Sequence, residues 1–320
     1  MCNYWARGND PAAEPSVDAY RVGSRKLAKL GSLLVSLAGG EPLLRTDIAE
    51  IVETVAEFHF PFLTTNGFLA TRELANDLMS NGLWGVSVSI DYADPARHDR
   101  RRGMVGAWEN AWRAVEYFVS ARKHPWQRVN VIAVLMEDNL DEIEPLLKMA
   151  ARYKSYFMVQ PYGQLKTGSD AFVHKSGPAS PRLVELRHKY PNFLSNPTYL
   201  GSFDRYMKEG VPGCKAGRAF FNIDETGEVA ICVEHRQQSV GNLYQDDMTV
   251  LSHRLRQASR GNPCRKCWYN CRGEVEMLYH PTGIFKSLPT LFLDRGKARS
   301  VAELAPSPAF ATLPPESPER

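Results

Sequence analysis

Five of the six cysteines fall in one stretch of the chain: Cys214, Cys232, Cys264, Cys267 and Cys271. The last three are spaced Cys-x2-Cys-x3-Cys in CRKCWYNC. The first two bracket CKAGRAFFNIDETGEVAIC, a hairpin-like run with Gly227 ahead of Cys232. Thiolates clustered at such spacing suit a soft metal centre. A 4Fe–4S cluster held by cysteine alone takes four thiolates. Five therefore supply one such site and fall well short of two. A structural zinc held by four cysteines would use the same donors. The sixth cysteine, Cys2, stands apart in MCNYW.

Composition narrows the setting of that chemistry. The 320 residues are 43% hydrophobic and 23% charged, with a formal net charge of +3. This is a globular composition of one or two domains, and the charge is too small to argue for nucleic acid or a membrane surface as partner. No apolar run reaches the roughly twenty residues of a spanning helix, and MCNYWARGND lacks the apolar core of a signal peptide. A cytoplasmic, reducing location is the expectation. There, Cys-x2-Cys pairs more often bind metal than form disulfides.

The elements that must carry these groups are legible as apolar runs alternating with helical patterns. Leu33–Leu37, Phe60–Leu63, Trp84–Ile90, Val129–Leu135 and Tyr156–Gln160 read as strands. Helices follow four of them. One starts near Asp47, with Glu50 at capping-box spacing. One carries Leu74, Leu78 and Met79 and ends at Asn81-Gly82. One carries Trp108, Trp112 and Val115, and one is begun by Asn139 with Glu142 three residues on. Such alternation predicts an α/β fold with a parallel sheet under helices. A closed or partial barrel of TIM type fits, and a doubly wound open sheet fits almost as well. Barrels of this type place function at the C-terminal strand ends, where Gly39-Gly40-Glu41-Pro42, Thr64-Thr65-Asn66-Gly67, Ser89, Asp91, Asn139 and Gln160-Pro161-Tyr162 fall.

The expected organisation is a barrel over 1–165, a linker over 166–203, a cysteine domain over 204–275 and an extension over 276–320. Its tail, from about residue 300, is Pro- and Ser-rich and expected to be disordered. The aromatic pair Phe220-Phe221 reads as core of the cysteine hairpin.

GGEP after a strand, then TTNG, then SVSID followed by HDRRRG, resembles the radical S-adenosylmethionine (SAM) superfamily over roughly residues 1–165. Cys214-x12-Gly227-x4-Cys232, then Val240-Gly241-Asn242, then the closing cysteines, resembles the SPASM/twitch auxiliary-cluster extension. The resemblance implies a (β/α)6 partial barrel followed by a small cysteine-rich hairpin domain. It implies a 4Fe–4S cluster on a Cys-x3-Cys-x-φ-Cys loop after the first strand, with SAM on the fourth iron. Cys2 fits the third cysteine of that loop, and Met1 its φ position, which packs near the adenine. The first strand and first two cysteines of the motif are absent, so the motif is incomplete. The expectation is that the natural start lies upstream and that Met1 is internal. Cysteine at the second and sixth codons upstream would bear this out, and other residues there would favour a non-catalytic metal-binding relative.

The resemblance further implies that Gly39, Gly40, Glu41 and Pro42 receive the methionyl amino group of SAM. Thr65, Asn66, Ser89 and Asp91 would lie along the cofactor, with Ser89 and Asp91 on its ribose and carboxylate, and Asn139 near the adenine. His98, Asp99 and Arg102 would orient a loop through an internal ion pair. One auxiliary iron–sulfur cluster would use Cys214 and Cys232 with two or three of Cys264, Cys267 and Cys271. The implied activity is reductive cleavage of SAM to a 5′-deoxyadenosyl radical that abstracts hydrogen from a peptide or protein. The alternative is oxidation of a sugar-derived small molecule in natural-product biosynthesis. A reducing partner such as flavodoxin or ferredoxin is implied, with no nucleic acid and no membrane.

Overall fold

The apolar runs become five parallel strands in the computed structural model, which describes residues 14–277. They are β1 (Leu34–Leu37), β2 (Phe60–Thr65), β3 (Gly85–Ser89), β4 (Arg128–Leu135) and β5 (Tyr156–Pro161). Helix α1 (Val17–Lys29) precedes them. Between and after them come α2 (Ile48–Ala56), α3 (Arg72–Ser80), α4 (Pro95–Arg102), α5 (Ala107–Ala121) and α6 (Ile143–Arg152). The strands lie in the order β1-β2-β3-β4-β5, each parallel to its neighbour, with Leu37 beside Leu63, Ser89 beside Ile132 and Leu135 beside Pro161. A doubly wound sheet reverses its order at a switch point. This sheet advances in one direction, so it is a partial TIM-type barrel. A further parallel contact continues it. Phe157 N–H donates to Asn192 O at 2.8 Å, and Leu194 N–H donates to Phe157 O at 2.8 Å.

Alternation along the strands sorts the side chains. Val86, Val88, Val129, Val131, Phe157 and Val159 point outward and are fully buried under the helices. Against them pack Ile51, Val52, Leu78, Trp112, Phe118 and Leu146. Each such burial contributes roughly 1.5–3 kcal/mol. The inner face mixes polar and apolar side chains: Thr64, Ser87, Ser89, Asn130 and Gln160 line a cavity of about 2930 Å³ together with Phe62, Ile132 and Met158. A close-packed barrel would fill this space with branched apolar chains. Here the space stays open, with polar groups on its wall that can orient a ligand.

Several local expectations give way to stronger partners. Asp47 precedes α2, but its carboxylate takes Arg45 Nε and Nη2 at 2.8 and 2.7 Å and makes no cap bond. Asn139 does not cap a helix either. Its Oδ1 accepts Met136 N–H at 2.7 Å, and α6 begins only at Ile143. His98, Asp99 and Arg102 lie on α4 and not in a loop. Asp94 caps that helix through Arg97 N–H at 2.7 Å, Pro95 opens it, and Gly103 closes it at φ +69°.

The stretch after β5 is itself folded, with α7 (Ser180–Lys189), α8 (Pro197–Leu200) and α9 (Phe203–Glu209) burying Leu183, Leu186, Tyr199 and Phe203. Next comes an antiparallel sheet of β6 (Asn222–Ile223), β7 (Glu228–Ala230) and β8 (Gly241–Asn242), then α10 (Met248–Ser259) and α11 (Asn270–Met277). The β6–β7 turn uses Gly227 at φ +89°. Phe220 and Phe221 pack beside the small core of Val229, Ile231, Leu243, Leu251 and Leu255, which also takes Leu27 of α1. Lys26 of α1 donates to three carbonyls, Leu243 at 2.8, Tyr244 at 3.0 and Asp246 at 3.1 Å, so the first helix is tied to the β8 turn. Among the described residues no helix is long and apolar enough to cross a membrane.

Candidate cofactor and substrate cavity

The C-terminal strand ends converge on one mouth of the cavity. Gly39 and Gly40 follow β1 on its wall, and a Cβ added at either would meet nothing within 4 Å. Backbone there is bare toward the open space. Glu41 is the clasp beside it. Its Oε1 accepts Thr65 Oγ1–H at 2.7 Å and Leu43 N–H at 3.1 Å, and its Oε2 accepts Asn66 N–H at 2.8 Å. Pro42 opens the short 3₁₀ turn that Glu41 caps. Thus Glu41, Thr65 and Asn66 lock the ends of β1 and β2 together. Gly67, at φ +83°, passes close to α5, where an added Cβ would lie 3.0 Å from Ala111 and Ala114.

Ser89 faces the cavity at the end of β3, whereas Asp91 is wholly buried. Asp91 Oδ1 accepts Val134 N–H at 2.9 Å, and Oδ2 lies 2.6 Å from Arg102 Nη2. Asn139 is equally buried and donates to Asp91 O at 3.0 Å and Val134 O at 2.9 Å. Both side chains thus bind protein groups around the ends of β3 and β4. The HDRRRG segment provides the other half of this device. Arg102 pairs with Asp91, which lies outside this segment. Asp99 accepts Gly106 N–H at 2.6 Å and Trp108 N–H at 2.8 Å, which starts α5. His98 Nδ1 accepts Asp91 N–H at 3.2 Å. Burial, helped by the nearby Arg102 charge, pushes the His98 imidazole down to about 4, so it is neutral in the folded protein.

The other wall of the cavity comes from the cysteine region. Tyr269, Asn270, Cys271 and Glu274 line it opposite the strand ends. Tyr269 seats against Gly163 so closely that a Cβ there would lie 2.1 Å from its ring. Glu274 accepts Asn196 N–H with both oxygens, at 3.1 and 3.2 Å, and burial raises its carboxyl to about 7. At neutral pH it stands between its two protonation states.

All five described thiols are free. They lie within electrostatic reach of one another: Cys214 with Cys264, Cys232 with both, and Cys267 and Cys271 with each other and with Cys214. Burial raises Cys214, Cys232, Cys267 and Cys271, with Cys232 pushed up to about 11 and Cys267 to about 12. Cys271 has surface open to the cavity, yet it is enclosed by protein on the longer range that governs solvation, so burial dominates there too. Among the described residues, no three His, Cys, Asp or Glu side chains stand at metal-holding positions. Cysteine is the donor type an iron–sulfur cluster takes, the five thiols come from separate segments, and two of them, Cys232 and Cys271, line the cavity. Met1 and Cys2 lie outside the described residues.

Some groups escaped the sequence reading. Asn130 is buried on the inner face of β4, and its Oδ1 has no hydrogen-bond partner among the described residues. Its signal, with Ser87 and Ser89, is a polar residue at every second place in otherwise apolar strands. Glu274 and Arg272 follow the last cysteine and carry no comparable pattern.

A parallel barrel of TIM type around a large cavity, with a thiol-bearing segment on its wall, defines a class of ligand-binding barrel protein. Residues 1–150, just under half of the chain, match the family model of the radical SAM superfamily, so this part of the chain is a radical SAM domain. The mycofactocin maturase MftC of Mycolicibacterium smegmatis is 26% identical over 270 residues, which cover 78% of this chain and 67% of the relative. The AdoMet-dependent heme synthase of Methanosarcina barkeri is 32% identical over 164 residues, 49% of this chain and 46% of the relative. The chain thus spans about half of that second relative's length. In fold it is similar to Streptococcus suis SuiB bound to the precursor peptide SuiA. The TM-score is 0.62 at 18% identity, covering 88% of this chain and 71% of SuiB.

Proposed function

We propose that this chain is a radical SAM enzyme that modifies a peptide, binding SAM at the strand ends and one auxiliary iron–sulfur cluster on the thiol region. The observation that carries the reading is the large cavity inside the barrel with bare Gly39-Gly40 backbone on its wall at the strand ends. It is supported by the superfamily match and by the fold shared with a peptide-bound protein. A 4Fe–4S cluster with SAM, when bound, supplies a 5′-deoxyadenosyl radical able to take hydrogen from carbon. Cys2 is the residue proposed for that cluster, with Met1 beside the adenine. Gly39, Gly40, Glu41 and Pro42 would receive the methionyl end, and Thr65, Asn66 and Ser89 would line the cofactor. Asp91 and Asn139 would hold those ends in register without touching it. Four of Cys214, Cys232, Cys264, Cys267 and Cys271 would hold the auxiliary cluster, and a flavodoxin- or ferredoxin-type protein would deliver electrons. The cavity walls position the substrate and keep bulk water from the reacting carbon, which is the protein's share of cofactor chemistry.

The test is anaerobic reconstitution with iron and sulfide, reduction, and assay of 5′-deoxyadenosine with a panel of peptides. Formation of 5′-deoxyadenosine that rises with a peptide supports the reading. A reconstituted protein that carries all three cysteines of the primary motif and binds no SAM overturns it. The heme synthase identity favours a second reading, a small-molecule substrate. Tetrapyrrole-dependent 5′-deoxyadenosine with no response to any peptide would establish that one instead.

A further inference from the structure

The best-anchored charge in the thiol region belongs to Arg272, which has no exposed surface. Its Nη1 donates to Cys267 O at 2.8 Å. Its Nη2 donates to Val211 O at 2.6 Å and Pro212 O at 3.2 Å, and its Nε donates to Glu276 Oε1 at 3.1 Å. Glu276 Oε1 in turn accepts Lys215 N–H at 2.7 Å. The pair therefore touches the backbone just before and just after Cys214, the backbone of Cys267 itself, and the helix that carries Cys271. We propose that the buried Arg272–Glu276 pair is the positioning device of the thiol site, tying the segments of Cys214, Cys267 and Cys271 to one another so that their thiols can gather around a cluster when it binds. This rests on the reading that the thiols hold a cluster.

Stability alone is a poor reason for such a pair. Two buried charges lose their hydration, and replacing them with apolar residues of similar volume is often neutral or favourable. What the pair provides is geometry. A planar fork of donors reaches three carbonyls from two segments while its carboxylate partner holds a third contact. A lysine would keep the charge and lose the fork. Groups that orient metal ligands through hydrogen bonds commonly change metal affinity by about 10- to 100-fold when removed.

The experiment uses the full chain, reconstituted anaerobically and desalted, with iron and acid-labile sulfide counted per chain. A reference variant with Cys264, Cys267 and Cys271 all changed to serine defines the iron that belongs to the thiol region. If wild type and reference hold equal iron, the cluster reading itself fails, whatever Arg272 does. If wild type holds more, Arg272→Lys is expected to fall to the reference level when free iron is limiting. The paired change Arg272→Met with Glu276→Met is expected to melt like wild type without metal and still lose the thiol-region iron. Either variant folding normally and retaining wild-type iron would overturn the proposal. If Arg272→Lys does not fold, the double methionine variant decides alone. Should that variant be unfolded too, the pair is a fold-stabilising element and the proposal is again overturned.

Discussion

Gly39 and Gly40 differ from Gly67 in what surrounds them, though all three follow strands and look alike in the sequence. Beside Gly40 there is empty cavity, and its backbone needs no positive φ. Gly40→Val should therefore cost no more than about 0.5 kcal/mol of stability, as exposed substitutions do. Its branched side chain would stand in the space proposed for the methionyl end of SAM, so SAM affinity, read by equilibrium dialysis, should fall about tenfold or more, roughly 1.4 kcal/mol. Gly67→Ala should behave in the opposite way. Its φ is +83°, and the new Cβ would press on Ala111 and Ala114 at 3.0 Å. A loss of about 1–3 kcal/mol in thermal or urea unfolding is expected. A Gly40→Val chain with unchanged SAM affinity would remove these glycines from the cofactor site. The sequence could show glycines at strand ends. Which were needed for room and which for backbone conformation depends on α5, some forty residues away in the chain, and no local pattern encodes that.

Helix α4 is the element that holds the site from behind. Apolar periodicity misses it, because its residues run PARHDRRR with no apolar face. Its signals are at the ends: Asp94-Pro95 to begin, three arginines in the last turn to suit the helix dipole, and Gly103 to finish. An ion pair was legible from the HDRRRG segment; its partner Asp91 and the helix that delivers it were not. Removing its cation tests the pairing. Arg102→Leu leaves the Asp91 carboxylate buried without its partner, and about 3–5 kcal/mol of stability should be lost. His98 adds a pH dependence. Its folded value is about 4, against about 6.5 in an unfolded chain. Between those values the unfolded state binds the proton and the folded state does not. Stability from this group is therefore complete above about pH 6.5 and lost as pH falls toward 4, to a total of about 3 kcal/mol. His98→Asn can still accept the Asp91 N–H but cannot titrate. Urea unfolding of that variant between pH 7 and 4 should show a correspondingly flatter decline than wild type. Equal slopes would show that His98 is not the group responsible.

At the scale of the whole molecule, the β/α alternation pointed to a parallel sheet but left an open sheet fitting almost as well as a barrel. Strand order is decided by which strands meet, and that is not a local property. The joint between barrel and thiol region was likewise hidden. It rests on Lys26 reaching three carbonyls more than two hundred residues on, and on Gly163 at the end of β5 lying under Tyr269. Gly163 makes the decisive case, because local and global arguments predict opposite signs. Its backbone is extended, at φ −124°. From conformational entropy alone, Gly163→Ala should stabilise by about 0.4–1 kcal/mol. From packing, the methyl group would fall 2.1 Å from the Tyr269 ring. It would push that residue and the start of α11, with Cys271, away from the barrel at a cost of about 1–3 kcal/mol. The packing argument should win, because a 2.1 Å approach cannot be absorbed without moving one element. A double-mutant cycle with Tyr269→Leu isolates the contact. In the leucine background the alanine should cost much less, leaving a coupling energy of at least about 1 kcal/mol between the two sites. Additive effects would mean that the last barrel strand and the thiol-bearing helix do not share this contact, and that the cavity wall they form together is built some other way.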